Sequence, residues 1–172
     1  NPNRNRLFLL YSMIQGFTIS SITADICTED NRINTSVAST QIRFLVKFIN
    51  DLDGSIVYCY PDLNTGIKPR YTDMTFQGQK IPDMFQGQIY ITLAGHWKYE
   101  VYEVSWIGAI VLSLATAPAT ETTVLAVADT NGVVEGIVTK GILNLTEKAG
   151  TEQVQYTQHP EPSGTNTIYY GQ

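Results

Sequence analysis

The chain has few charged residues and no strong concentration of positive charge. Asp, Glu, Lys and Arg make up 16% of its 172 residues, and the formal net charge is −5. A protein that binds nucleic acid needs a basic surface to neutralise phosphates, and only Arg4 and Arg6 stand close together here. We therefore expect no nucleic-acid partner.

Long apolar runs and long helical windows are also missing. No stretch reaches the roughly 18 apolar residues of a membrane-spanning helix, and the nearest are residues 7–14 and 107–117. We therefore expect no membrane partner. Windows rich in Ala, Leu, Glu and Lys are absent as well, whereas ten Tyr and six Phe suit pleated strands better than helices.

Cysteine and histidine are too scarce to indicate a metal centre. The two cysteines, Cys27 and Cys59, form no Cys-x-x-Cys pair. They permit one disulfide, but a chain of this length can build a core without one, which favours two buried thiols. The two histidines, His96 and His159, lie at a strand start and near the C-terminal end of the sequence. We expect no metal and no cofactor.

Motifs for catalysis are missing too. The chain contains no Gly-x-Ser-x-Gly, no phosphate loop and no Rossmann glycine set. Asp51 with Asp53, and Glu29 with Asp30, lack the alternating oxygen ligands and distant Glu of a calcium loop, and the first pair suits a turn. We expect no catalytic residues and no enzyme.

What the chain does have is a series of short alternating segments. Residues 87–106 alternate in two parts on either side of Ala94-Gly95, and Trp97, Tyr99 and Val101 give the second part a large apolar face. Polar residues, including Lys98 and Glu100, lie between them. This pattern predicts two strands of an antiparallel sheet with one solvated side.

Other segments predict further strands. Residues 41–50 and 55–60 predict a hairpin, in which Gly54 closes the turn over residues 51–54. Residues 17–24, 70–76 and 133–147 predict three more strands. So many short strands separated by turn signals predict an all-β fold, and specifically an antiparallel β-sandwich.

Composition divides the chain into three parts. We predict an N-terminal arm over residues 1–38, a sandwich core over 39–147 with an insertion at 107–132, and an extended C-terminal tail over 148–172. The apolar run of the arm either docks on another chain or forms an ordinary strand of its own fold. The tail either lies along a partner surface or is a disordered terminus.

Two of the predicted strands resemble the last two strands of immunoglobulin-like domains. Residues 93–102 resemble the sixth strand, where Gly-x-Tyr/Trp-x-Tyr-x-Val follows a tight corner, and residues 141–145 (GILNL) resemble the seventh. The cysteine and tryptophan markers of antibody domains are absent, and the insertion at 107–132 is the main departure. The resemblance implies an immunoglobulin-like antiparallel β-sandwich.

A second resemblance concerns function. GHWKYEVYE at 95–103, EGIVTKGIL from 135, and a YTQ…TNTIYYG ending at 171 resemble small structural proteins of tailed bacteriophages. These are similar to head accessory or decoration proteins with immunoglobulin-like cores. The resemblance covers about residues 85–106 and 133–171 and leaves the N-terminal third unmatched.

The bacteriophage resemblance implies a non-enzymatic virion protein that is assembled in the host cytoplasm. It would attach to the major capsid protein or other virion proteins in multiple copies of a symmetric array, and would stabilise the head. Whether it sits on the head, neck or tail stays open. We expect the partner contacts at the apolar residues of the arm and tail, namely Leu7, Phe8, Leu9, Leu10, Tyr11, Ile168, Tyr169 and Tyr170.

An alternative function is a tail, neck or fibre component that binds host glycans. Aromatic side chains on a sheet face can stack on sugars, although cross-strand packing accounts for most of them without a ligand. The candidates for such a platform are Tyr58, Tyr60, Tyr90, Tyr102, Trp106, Tyr169 and Tyr170.

Overall fold

The computed structural model describes residues 12–67 and 70–148, and over these ranges the chain is all-β. This confirms the all-β part of the prediction. The helical segments there are short 3-10 turns at Glu29–Asn31, Ser39–Gln41 and Met84–Gln86. The strands are Ser12–Phe17 (β1), Ile22–Ile26 (β2), Ile42–Asn50 (β3), Ile56–Cys59 (β4), Asp62–Ile67 (β5), Thr72–Gly78 (β6), Gln88–Ile89 (β7), Gly95–Ser105 (β8) and Val133–Thr146 (β9).

The strands form two sheets. The five-stranded sheet has the order β1-β9-β8-β3-β4, and the other sheet has the order β2-β6-β5, with β7 beside β6. Most neighbours are antiparallel, but β1 runs parallel to β9 and β7 runs parallel to β6. Both sheets are therefore mixed, since each contains one parallel pair. β1 joins the sheet edge beside β9, while the next strand, β2, belongs to the other sheet.

The hairpin of β3 and β4 follows the sequence prediction closely. Val46 pairs with Cys59 and Ile49 pairs with Ile56. The side chain of Asn50 accepts a hydrogen bond from the backbone amide of Leu52 at 2.7 Å, and Gly54 has a φ of +72°. The turn thus uses an Asn side chain to stabilise the loop and a glycine for the left-handed conformation.

The first half of the 87–106 stretch differs from its prediction. Only Gln88–Ile89 pairs as a strand, and it lies beside β6 and not beside β8. Ile89 and Ile91 are nevertheless buried. The alternation in the sequence therefore predicted correctly which side chains are buried. The backbone of residues 90–94, however, passes from one sheet to the other and does not pair as a strand.

The main core lies between the two sheets. Inward-facing residues of β2 and β6 meet those of β3, β8 and β9 there. The rings of Phe48 on β3 and Phe76 on β6 pack edge to face across the core, with centroids 5.1 Å apart. Two sheets that bury a shared apolar layer are the arrangement expected when alternating strands each have one apolar face.

Residues 12–26 of the predicted arm form strands of the two sheets. β1 pairs with β9, β2 pairs with β6, and Ile14, Ile22 and Ile26 are buried in the core between the sheets. For residues 12–26 the interpretation as an ordinary strand region therefore applies, because apolar side chains at alternating positions fill the core. Residues 1–11 and 149–172 lie outside the described ranges.

The two cysteines are free and differ in burial. Cys59 is fully buried in the core, whereas Cys27 is exposed. The expectation of two buried thiols is therefore wrong for Cys27. Ile26 takes the inward position at the end of β2, so the next side chain faces outward.

Candidate functional site

The eight residues predicted to contact a partner are not among those that the structure describes. They are Leu7, Phe8, Leu9, Leu10, Tyr11, Ile168, Tyr169 and Tyr170. Binding surfaces are therefore assessed on residues 12–67 and 70–148.

Strand β1 forms one edge of the five-stranded sheet and carries exposed apolar side chains. On its outer side it pairs with no strand of the described chain. Ile14 points into the core, while Met13 is 60% exposed and Phe17 is 54% exposed. Ser12–Phe17 contains no charged residue and no proline. Natural edge strands are usually protected by such residues, so an unprotected apolar edge indicates a contact surface.

The face of the five-stranded sheet that points away from the other sheet is partly covered by a second apolar cluster. Tyr60 and Trp106 are each 1% exposed and form this cluster with Leu45, Val104 and Ala117. The Tyr60 hydroxyl donates a hydrogen bond to the carbonyl of Pro118 at 2.7 Å. The predicted solvated side is therefore wrong for the C-terminal half of β8, because part of the 107–132 segment packs over it.

A close contact with a glycine fixes this segment where it rejoins the sheet. A Cβ atom on Gly132 would lie 2.6 Å from Cζ2 of Trp106 and 2.9 Å from Cγ1 of Val104. The Gly132 amide also donates to the carbonyl of Thr116 at 2.8 Å. Residue 132 therefore has to be a glycine for the segment to approach the indole this closely.

A polar clamp beside the second cluster joins the segment to the sheet. Nζ of Lys47 lies 2.6 Å from Oε1 of Glu121, and the Tyr58 hydroxyl donates to Oε2 of the same carboxylate at 2.5 Å. The Tyr102 hydroxyl donates to Oε2 of Glu100 at 2.7 Å, and Lys47 lies 3.9 Å from that oxygen. These five side chains are called the Glu121 clamp below.

The clamp changes the acidity of its members. Burial raises the pKa of Glu121, but hydrogen bonds from Lys47 and Tyr58 and the positive charge of Lys47 outweigh it, so the pKa ends below its ordinary value. Burial, and then hydrogen bonds to Glu121 and Glu100, raise the pKa of Tyr58 and of Tyr102 well above the ordinary value. These shifts favour the ionised form of Glu121 and the protonated hydroxyls of Tyr58 and Tyr102.

Two carboxylates hold the loop between β2 and β3 against the sheet. The fully buried Glu103 accepts hydrogen bonds from the backbone amides of Ile33 at 3.0 Å and Asn34 at 2.9 Å. Oε1 of Glu135 accepts from Nδ2 of Asn34 at 2.8 Å and from the Ser105 hydroxyl at 2.6 Å. All of these bonds lie within the protein, so both carboxylates stabilise the position of this loop against the sheet.

The predicted glycan-stacking platform is not assembled on the described surface. Tyr60 and Trp106 are buried in the second cluster, and Tyr58 and Tyr102 belong to the Glu121 clamp. Tyr90 alone of the described members is more than a third exposed, at 37%. Tyr169 and Tyr170 lie outside the described ranges. The aromatic pattern was a consequence of packing on both faces of the sheet.

Other candidates have structural roles. Asp51 forms an ion pair with Lys98 at 2.7 Å, and Asp53 accepts a hydrogen bond from the backbone amide of Ser55 at 2.9 Å, which lowers its pKa. His96 is an exposed residue near the start of β8. In the part of the chain that the structure describes, no group of three or more His, Cys, Asp and Glu side chains could hold a metal ion.

One candidate was missed by the sequence interpretation. Arg43, on β3, is half-buried and lines a cleft of about 360 Å³ and a second cleft of about 320 Å³. Within the described ranges it forms no salt bridge, and its hydrogen bond goes to the carbonyl of the preceding residue, Ile42, at 2.7 Å. The alternation of residues 41–50 predicted a strand and gave no indication of a cleft at Arg43.

The chain matches no protein-family model, no curated protein and no solved structure. None of the described helices has the length and the apolar composition needed to cross a membrane.

Proposed function

We propose that the protein is a non-enzymatic structural protein of a bacteriophage virion that attaches to the capsid as an accessory or decoration protein. The observation that carries the binding role is the uncharged edge of β1, which pairs with no strand of the described residues on its outer side and has Met13 and Phe17 exposed. An edge strand offers unpaired backbone groups to a strand of a partner, and exposed apolar side chains add buried area to the contact.

The proposal includes an immunoglobulin-like arrangement of the sandwich. When the strands are matched by their order along the chain, β2, β6 and β5, which are neighbours in one sheet, correspond to strands B, E and D of such a domain. β9, β8, β3 and β4 correspond to strands G, F, C and C′. The same assignment puts β8 and β9 in the sixth and seventh positions, as their sequences suggested. The parallel strand β1 beside β9 would then be an additional edge strand.

The virion assignment is supported by the sequence motifs of β8 and β9, which resemble phage head proteins. It is also compatible with the chemistry of the body. The chain has a low charged fraction, and its two sheets and the covered outer face are held by many internal bonds. A folded body with an exposed apolar strand edge at β1 is suited to binding in multiple copies to a symmetric surface.

The test is co-sedimentation with capsids of the encoding phage that lack this protein. We expect the wild-type chain to sediment with the particles and the double variant M13K/F17K to remain in solution. Lysine on an edge strand opposes strand pairing because its charge would have to be desolvated. A control double variant, L52K/V127K, adds the same charge at two exposed apolar residues away from β1.

The results separate the edge from general charge effects. Binding by the control and loss of binding by M13K/F17K would support the proposal, provided that both variants unfold at the temperature of the wild type. Equal binding by all three proteins would remove the role of the edge. No sedimentation of the wild-type chain would remove the capsid role itself. Deletion of residues 1–38 is unsuitable, because it would remove β1 and β2 from the sheets.

A further inference from the structure

Arg43 occupies an unusual position for a cation in this chain. Its guanidinium is half-buried and has five N–H donors, and the structure assigns one hydrogen bond to it, to the carbonyl of Ile42. Burial lowers the pKa of Arg43 because the charge is partly removed from water. No carboxylate of residues 12–67 and 70–148 pairs with Arg43. A half-buried guanidinium in this state has a desolvation cost that a bound anion would offset.

The cleft of about 360 Å³ beside Arg43 has a largely polar lining with two aromatic residues, Tyr60 and Phe85. Gln77, Gln86 and Gln88 line it, together with Asp62. The side-chain oxygen of Gln88 accepts a hydrogen bond from the Asp83 amide at 3.1 Å, which leaves its NH₂ group for a ligand. Phe85 lines it as well, and the ring of Phe85 is stacked on that of Tyr60 with centroids 5.9 Å apart. Amides and a carboxylate supply both donors and acceptors, and a supported ring supplies a flat apolar surface.

We propose that this cleft is a binding site for an acidic monosaccharide unit, such as a hexuronate, with its carboxylate on Arg43. The planar guanidinium matches a carboxylate through two parallel hydrogen bonds. The glutamine amides and Asp62 bind the ring hydroxyls, and Phe85 contacts the less polar face of the sugar. The volume of the cleft suits one small ring of this kind.

The composition of the cleft argues against other anions. A polyphosphate or nucleic acid needs several cations, whereas among the described residues that line this cleft Arg43 is the only cation and Asp62 opposes extra negative charge. A peptide ligand that presents a glutamate would be recognised through its backbone and through apolar pockets for neighbouring side chains. The three glutamines fit a ligand with many hydroxyl groups better.

The site is independent of the proposed capsid role. Arg43 lies on β3, an inner strand of the five-stranded sheet, whereas β1 forms one edge of that sheet. Failure of the capsid test would leave this proposal intact, and failure of the sugar test would leave the capsid proposal intact.

The experiment titrates the full chain with glucuronate and with glucose, and follows binding by amide chemical shifts in NMR spectra. We expect glucuronate to bind with a Kd of the order of millimolar, as befits one small ring, and glucose to bind at least about tenfold more weakly. The variant R43Q should weaken glucuronate binding about tenfold or more, because it removes charge-assisted hydrogen bonds. R70Q removes the same charge at an exposed residue outside the cleft and should bind as the wild type does.

A second pair of variants covers the case in which R43Q does not fold. Q86E adds a negative charge in the cleft and should weaken glucuronate binding, whereas Q79E adds it at an exposed residue that does not line the cleft and should not. Equal binding of glucose and glucuronate, or an equal effect of cleft and control variants, would overturn the proposal. So would tighter binding of inorganic phosphate or of N-acetylglutamate amide, which would identify a simple anion or a peptide side chain as the ligand.

Discussion

Replacing Glu103 by glutamine should destabilise the protein through the loop between β2 and β3. The carboxylate is fully buried and uses one oxygen for the amide of Ile33 and the other for the amide of Asn34. Glutamine has nearly the same shape but only one acceptor oxygen. Its NH₂ group would therefore face one of the two backbone amides, donor against donor, and that amide would lose its hydrogen bond.

The expected magnitude comes from the single lost bond. A hydrogen bond to a charged group contributes about 1.5–3 kcal/mol, and a buried donor without a partner costs a similar amount. A neutral amide is cheaper to bury than a carboxylate, which offsets part of the loss. We expect E103Q to lower the free energy of unfolding by about 1.5–3 kcal/mol, a large share of the roughly 5–15 kcal/mol typical of a domain.

The measurement is urea denaturation followed by tryptophan fluorescence, with E147Q as the control. Glu147 is exposed, and a substitution at such a site usually changes stability by less than about 0.5 kcal/mol. Hydrogen exchange should also become faster at the amides of Ile33 and Asn34 in E103Q and should not change there in E147Q. A stability difference between the two variants below about 0.5 kcal/mol would refute the assigned role of Glu103.

Three further results are expected. Because the pKa of Glu121 is lowered in the folded state, its contribution to stability is present above its unfolded-state pKa and is lost as pH falls through the folded-state pKa. E121Q should therefore reduce the dependence of the free energy of unfolding on pH in the acidic range. An unchanged dependence in that range would contradict this. Cys27 should react with a thiol reagent in the folded protein, whereas Cys59, whose pKa is raised chiefly by burial, should react only on unfolding; equal rates would contradict the burial difference. G132A should cost about 1–3 kcal/mol, measured by denaturation, because its methyl group would overlap Trp106, and a neutral effect would show that the segment shifts freely.

The local signals in the sequence gave the strands that pair with a sequence neighbour. The β3–β4 hairpin was predictable because Asn50, Asp53 and Gly54 provide side-chain acceptors and a left-handed residue within a few positions. The long strands β8 and β9 were predictable because their alternation extends over many residues. Each of these signals depends on residues that lie close together in the chain.

The covering of the outer sheet face was not predictable in this way. It depends on contacts such as Lys47 with Glu121 and Tyr60 with Pro118, whose partners are far apart in the sequence. Glu103 did carry a signal that was missed. It continues the inward series of Trp97, Tyr99 and Val101, and an acid in such a series has to find buried donors.

The distribution of packing over the five-stranded sheet determines which surfaces are left for binding. One face meets the other sheet, and the opposite face is partly covered by the second cluster and the Glu121 clamp. An inner strand such as β8 is paired on both sides, so its backbone N–H and C=O groups are not available to a partner strand. Strand addition is therefore confined to the sheet edges, and within residues 12–67 and 70–148 the β1 edge has an unpaired side together with exposed Met13 and Phe17. For this reason the proposed attachment to a capsid depends on the edge of β1, and M13K/F17K tests it directly.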